Sequence, residues 1–175
     1  MKYRRAASAE SFNPFFEEQA MKANLMSMNI LVDSSGSMES IASDMVGALN
    51  QLVDENRELD VLVTYSIFSD EYQPVFAHVP IKDVKRFELK PDRMTALVES
   101  ACKMIDEVGA RLAAMPEEER PEKVMFVIVT DGLENYSNPK YTRKTIFNHQ
   151  TKGAIPCLIS TMITTRQNLF QRTSL

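Results

Sequence analysis

Apolar positions along this chain fall into blocks whose period switches between that of a strand and that of a helix. Two short runs, Asn29-Ile30-Leu31-Val32 and Val124-Met125-Phe126-Val127-Ile128-Val129, are apolar almost throughout and rich in β-branched residues. Each is too short to favour a helix and reads as a strand buried on both faces, the pattern of a parallel sheet covered by helices. Val61 to Phe68 reads as a further strand, joined by Ser69-Asp70-Glu71 to another at Tyr72 to Val79. So short a link implies an antiparallel hairpin, and Pro74 in its second arm suits a sheet edge. A last strand is expected over Ile155 to Ile159, with Pro156 near its start. Between these runs Met38, Ile41, Met45, Leu49, Leu52 and Val53 recur at helical spacing, as do Leu97, Val98, Ala101, Ile105, Val108 and Leu112. Ser137-Asn138-Pro139 predicts a helix entry with proline in the first turn, and a helix to about Gln150.

Strands alternating with helices predict an α/β fold: a doubly wound, Rossmann-like three-layer sandwich, its sheet mostly parallel with one antiparallel edge strand. Residues 1–26 show little periodicity and read as an N-terminal extension, partly disordered, with the first strand starting at Met28. Residues 27–165 form the expected domain and 166–175 a C-terminal tail. The connection from Pro80 to Met94 is long, and structureless loops of that size are often functional. The acidic stretch between Pro116 and Pro121 reads as a solvated surface loop.

The chemistry sits where apolar runs end. Asp33-Ser34-Ser35-Gly36-Ser37 follows the first run and Asp131-Gly132 follows the second, while Thr95 opens the second helical stripe. In an open α/β sheet such strand-end loops are where ligands bind. Asp33, Ser35 and Ser37 alternate, so their side chains can turn toward one point, and Gly36 gives the backbone room to bend. Aspartate, serine and threonine offer only oxygen, which suits Mg²⁺ or Mn²⁺, with Ca²⁺ less favoured, and disfavours Zn²⁺ or copper. Simpler roles exist for each group. Ser37 and Thr95 are good helix N-caps, and Asp131-Gly132 is a good turn. Their occurrence together and in this order points to a shared cation.

The arrangement resembles the von Willebrand factor A domain family and its metal-ion-dependent adhesion site. That family's pattern is Asp-x-Ser-x-Ser, a distant Thr, then a distant Asp usually followed by Gly. Here it falls on Asp33, Ser35 and Ser37, on Thr95, and on Asp131 with Gly132. The flanks NILVDSSGSM and VIVTDG are also similar, and the resemblance covers roughly Met28 to Gln150. It implies a sheet with the Asp33 strand at its centre and a protein-binding module, an adaptor or assembly factor of bacterial or phage type. The metal would be Mg²⁺ or Mn²⁺, held by Asp33, Ser35, Ser37, Thr95 and Asp131. The partner would be a protein presenting Asp or Glu to an open coordination position. Arg93 is a candidate for steering that acidic partner, and Glu134, with Glu39, Asp70 and Asn135, for the rim. The family usually continues through a further helix–strand–helix, and Thr161 to Leu175 is polar and weakly patterned for that role.

Composition narrows the alternatives. The chain has 175 residues, 44% hydrophobic and 25% charged, which fits one globular domain. A net charge of −4 with no long basic stretch argues against nucleic acid, and no run reaches the length of a membrane helix. The N-terminus has no apolar core of a secretory signal, and Cys102 and Cys157 read as buried thiols, so a cytoplasmic setting is expected. The rival reading is a Mg²⁺-dependent phosphatase-like hydrolase with Asp33 as nucleophile. That chemistry needs a second Asp two residues on, where this chain has Ser35. P-loop, GxSxG and HExxH motifs are absent, and His78 and His149 fall on separate elements, so no enzyme activity is expected.

Overall fold

The computed structural model describes residues 22–92, 94–131, 136–142, 145 and 157–163. Among them, strands β1 (Lys22–Asp33), β2 (Val61–Phe68), β3 (Tyr72–Pro80), β4 (Pro121–Thr130) and β5 (Cys157–Ile163) form one sheet in the order β3-β2-β1-β4-β5. Helix α1 (Ala42–Glu55) links β1 to β2, and α2 (Leu97–Ala114) links β3 to β4. The β1–β2, β1–β4 and β4–β5 pairs are parallel, and β2–β3 is antiparallel. This is the doubly wound α/β sandwich expected, with the Asp33 strand central and Pro74 on the edge strand.

Side-chain alternation sorts the core into two layers. Met28, Ile30 and Val32 of β1 and Val127 and Val129 of β4 pack with Met45, Leu49 and Val53 of α1. Leu31 of β1, Phe68 of β2 and Val124, Phe126 and Ile128 of β4 pack with Ala101, Met104, Ile105, Val108 and Leu112 of α2. Consecutive residues of β1 are thus buried on opposite faces, which is why its sequence shows no polar period.

Several boundaries differ from those expected. β1 begins at Lys22, so residues 22–26 belong to the sheet and not to an extension. The pairing of β1 with β4 slips between Lys22 and Met26. Asn24 there takes φ 69°, a left-handed conformation that asparagine tolerates, and its N–H donates to Glu122 Oε2 at 2.9 Å. The bulge breaks the two-residue period and hides the strand's first part. β4 starts early, at Pro121, and β5 runs from Cys157 to Ile163, later than Ile155 to Ile159. Pro156 lies outside the described residues.

The helix entry expected at Ser137-Asn138-Pro139 is a turn, in which Asn138 Oδ1 accepts the Lys140 N–H at 3.1 Å. Reciprocal bonds between Thr142 and Thr145, at 2.9 and 3.3 Å, form a cap of the capping-box kind and move the entry there. The rest of that segment, to Gln150, lies outside the described residues. Met38, placed in the α1 stripe by spacing, is buried in a separate 3₁₀ turn, Gly36–Ser40.

The long connection after β3 has two parts. In the first, Ile81, Val84 and Phe87 enter the α1-side core, and the Phe87 ring meets Tyr65 edge-on with centroids 4.7 Å apart. The second, residues 88–94, leads to Thr95. Along β3, the pairing with β2 slips twice, between Val63 and Tyr65 and between Tyr65 and Ser66. His78 adopts φ 60° there, its N–H donating to Thr64 Oγ1 at 3.3 Å. Among the described residues no helix is long and apolar enough to cross a membrane.

Cys102 is a buried free thiol on α2, while the side chain of Cys157 lies outside what the structure describes. Burial, reinforced by Asp106 and Glu99, pushes the Cys102 thiol up to about 11. In a Cys157→Ser variant, a soluble disulfide reagent at mildly alkaline pH is expected to leave Cys102 unlabelled until denaturant is added. Rapid labelling of the folded protein would contradict this placement of α2.

Candidate metal centre

Asp33 closes β1 and Thr130 closes β4. The parallel register pairs Val32 with Val129, which sets these two residues side by side. Each lies two positions beyond a residue of the α2-side core, Leu31 and Ile128, so both side chains fall on that face. Both are buried, Asp33 completely. Thr130 Oγ1 donates to Asp33 Oδ2 at 2.6 Å, and Asp33 Oδ1 accepts the Ser35 N–H at 2.8 Å. The second bond folds the loop back over its own strand end, as aspartate side chains do in turns.

That loop is anchored on its other side as well. The Ser34 N–H and Oγ both donate to Phe68 O, at 2.7 and 2.9 Å, at the end of β2. Gly36 then opens the 3₁₀ turn, without the positive φ that would demand glycine. Ser35 Oγ lies 3.1 Å from Ser37 Oγ, and Ser37 Oγ donates to Asp131 Oδ1 at 2.7 Å. Four of the five expected residues, Asp33, Ser35, Ser37 and Asp131, are therefore joined in one run of hydrogen bonds from β1 to the end of β4.

Thr95 reaches the same rim from the long connection and is buried. The Asp92 N–H donates to Ser34 O at 2.6 Å and the Ala96 N–H to Ser69 O at 2.7 Å. Thr95 O accepts the Tyr136 N–H at 3.1 Å. These bonds sew the Thr95 segment to the Asp33 loop, to the β2–β3 turn and to the chain beyond β4. A cavity of about 310 Å³ opens beside it on the β2–β3 side, its polar lining including Ser34, Ser69, Glu71, Gln73, Lys90 and Asp92.

The N-cap of α1 is Ile41 and that of α2 is Ala96, and neither makes a side-chain cap bond. Ser37 is turned to Asp131 instead, and Asp131 is half-buried. Of the rim residues, Glu39 is exposed and Asp70 half-buried, with Ser69 Oγ donating to Asp70 Oδ1 at 3.0 Å. Arg93, Gly132, Glu134 and Asn135 lie outside the described residues. Thr130 is absent from the set that sequence spacing suggests. Its hydroxyl meets a residue 97 positions away, and only strand register reveals that.

Among the described residues no group of three or more His, Cys, Asp or Glu side chains gathers as a metal site. The cluster here has two carboxylates and completes its oxygens with hydroxyls, a donor set for a hard divalent cation and not for zinc or copper. A completely buried carboxylate such as Asp33 is stabilised by nearby positive charge. Serine hydroxyls hold lone pairs that can turn from each other toward a cation. The residues present fit such an ion.

No protein-family model and no curated protein matches the sequence. Solved structures do resemble it. VWA2, an ArnB paralog of Sulfolobus acidocaldarius, is 14% identical, over 81% of this chain and 35% of that one, with a TM-score of 0.49. The manganese-loaded TRAP protein of Plasmodium vivax is 14% identical, over 82% of this chain and 59% of that one, with a TM-score of 0.53. Proximal thread matrix protein 1 of the mussel byssus is 15% identical, over 81% of this chain and 36% of that one, with a TM-score of 0.50. The match spans less than two thirds of each of these structures. Identities this low speak for the fold alone. With the strand order and the helices on both faces, the two likenesses at TM-scores of 0.53 and 0.50 define a von Willebrand factor A-like fold.

Thr130→Val keeps the shape of the side chain and removes the donor to Asp33. The loss of a hydrogen bond to a buried carboxylate is expected to cost about 1.5–3 kcal/mol in urea unfolding. An unchanged midpoint would remove Thr130 from the support of Asp33.

Proposed function

We propose that this chain is a metal-dependent protein-binding module, an adaptor or assembly factor that recognises an acidic residue of a partner protein. The observation that carries the proposal is the hydrogen-bonded run through Asp33, Ser35, Ser37 and Asp131, whose side chains offer only oxygen, set at the ends of adjacent parallel strands. With Thr95, these residues would hold Mg²⁺ or Mn²⁺, Ca²⁺ being less suited. The manganese-loaded state of the TRAP structure supports a cation of this class. When bound, such an ion supplies a Lewis-acidic position that accepts a carboxylate oxygen. Asp33, its oxygens already engaged, and Asp131 would balance its charge through water, and Ser35, Ser37 and Thr95 offer oxygen without adding charge, which leaves it attractive to a further anion.

Binding is favoured over hydrolysis by the state of Asp33. A nucleophilic carboxylate needs an accessible oxygen. Asp33 is completely buried, and both its oxygens accept hydrogen bonds. The position two residues on, where a phosphatase of that kind would keep its acid–base Asp, is Ser35.

Calorimetric titration with MgCl2 and MnCl2 is expected to show binding to the wild type and none to Asp33→Ala or Asp131→Ala. Equal affinity in all three proteins would end the metal reading. Capture of a partner is expected to fail in EDTA and in Thr95→Ala. Turnover of a generic phosphate ester with Mg²⁺, abolished by Asp33→Asn, would replace the binding module with an enzyme.

A further inference from the structure

The α2-side face of β2 turns polar away from the candidate metal centre. Phe68 belongs to the core under α2, but Ser66 and Thr64, on the same face, carry hydroxyls and are buried. Thr64 stands at the first slip of the sheet edge. Val63 pairs with Val79 and Tyr65 with Phe76, so Ala77 and His78 together oppose Thr64 in a β-bulge. Bulges re-aim side chains, and His78 takes φ 60°, a conformation few residues other than glycine adopt.

Arg111 arrives at the same place from the last turn of α2. A cation in that turn can complement the helix dipole from solvent. Arg111 is instead half-buried, and its Nη1 donates to Thr64 Oγ1 at 3.3 Å. The carboxylate one helical turn away, Glu107, accepts the Tyr72 hydroxyl at 2.8 Å, and Arg111 forms no salt bridge among the described residues. Its charge acts on the His78 ring: burial first, then this guanidinium, holds the imidazole below its usual range. The His78 N–H is the second donor to Thr64 Oγ1, at 3.3 Å. Both lone pairs of that hydroxyl are taken, and nothing among the described residues accepts its hydrogen.

We propose that Arg111, His78 and Thr64 form a binding site for a small tetrahedral oxyanion, phosphate or sulfate, beside the bulge of β3. The guanidinium offers a planar fork of donors that suits such an anion, the imidazole offers a ring N–H, and the hydroxyl offers its hydrogen. The charged and titratable groups around the ring are Arg111 and, beyond it, Glu107 with Tyr72, which are bonded to each other. An anion supplies the acceptor that the three donors lack. It also favours the protonated imidazole, so His78 titrates higher when the anion is bound. The site lies four residues down β2 from Phe68, whose carbonyl anchors the Asp33 loop, and it is independent of the metal-dependent reading.

The test is NMR titration of the histidine rings of the intact chain, in EDTA so that no metal-held anion contributes. Sodium sulfate, sodium phosphate and sodium acetate are compared at matched ionic strength, and His78→Gln tells the His78 signal from that of His149. Sulfate or phosphate is expected to raise the His78 pKa by about one unit, which is about tenfold tighter binding to the imidazolium form, and the larger rise names the ligand. Arg111→Gln, shown to be folded by its thermal midpoint, is expected to raise the His78 pKa without any anion, because a facing positive charge is gone, and to abolish the further rise. Arg111→Lys, which keeps the charge and loses the fork, is expected to give a smaller rise than the wild type. A His78 pKa indifferent to both tetrahedral anions, or raised equally by acetate, would overturn the inference. So would a rise that persists in Arg111→Gln.

Discussion

Asp33 is a carboxylate placed where the two central strands of the sheet end together, and it is completely buried there. Such a group is costly unless every lone pair finds a partner. Here one oxygen accepts a hydroxyl from the neighbouring strand and the other accepts a backbone N–H of the loop that Asp33 itself begins. These two bonds require β1 and β4 to end in register, and the loop to turn back sharply. The rest of the site depends on them. Once the loop has turned, Ser35 and Ser37 face the end of β4, and Asp131 is the next residue of that strand's exit.

The surrounding packing keeps that geometry in place. Helix α1 closes one face of β1 through Ile30 and Val32, and α2 closes the other against Leu31. β2 holds the loop through two bonds to Phe68 O. The connection after β3 divides its labour. Phe87 and its neighbours fill the core, which fixes where the later residues start. The backbone bonds at Asp92 and Ala96 then set where Thr95 arrives. Buried apolar contacts thus position the polar rim with little freedom left to the loops themselves.

Much of this is legible in the amino-acid order, for definite reasons. Central strands of a covered parallel sheet are apolar on both faces, so NILV and VMFVIV announce themselves, and the polar residues just past them mark the strand ends. The hairpin is readable because its link is short, and its edge position because Pro74 lacks a donor. The hidden parts lie where pattern and period separate. The bulge at Asn24 conceals the start of β1. Thr130 looks like the tail of a strand until register sets it beside Asp33. Phe87 sits among charged residues in a stretch with no period, although its ring is core. Ser37 has a ready use as a cap, and only the observed start of α1 at Ala42 removes it.

The irregular edge strand has a consequence for how this molecule meets its neighbours. β3 loses step with β2 twice and carries a left-handed His78 and a donorless Pro74. A chain arriving sideways would need an unbroken ladder of amide hydrogens and carbonyls to zip onto, and β3 cannot supply one. Association by sheet extension is therefore discouraged along that flank. Copies can crowd together without knitting into a continuous ribbon there.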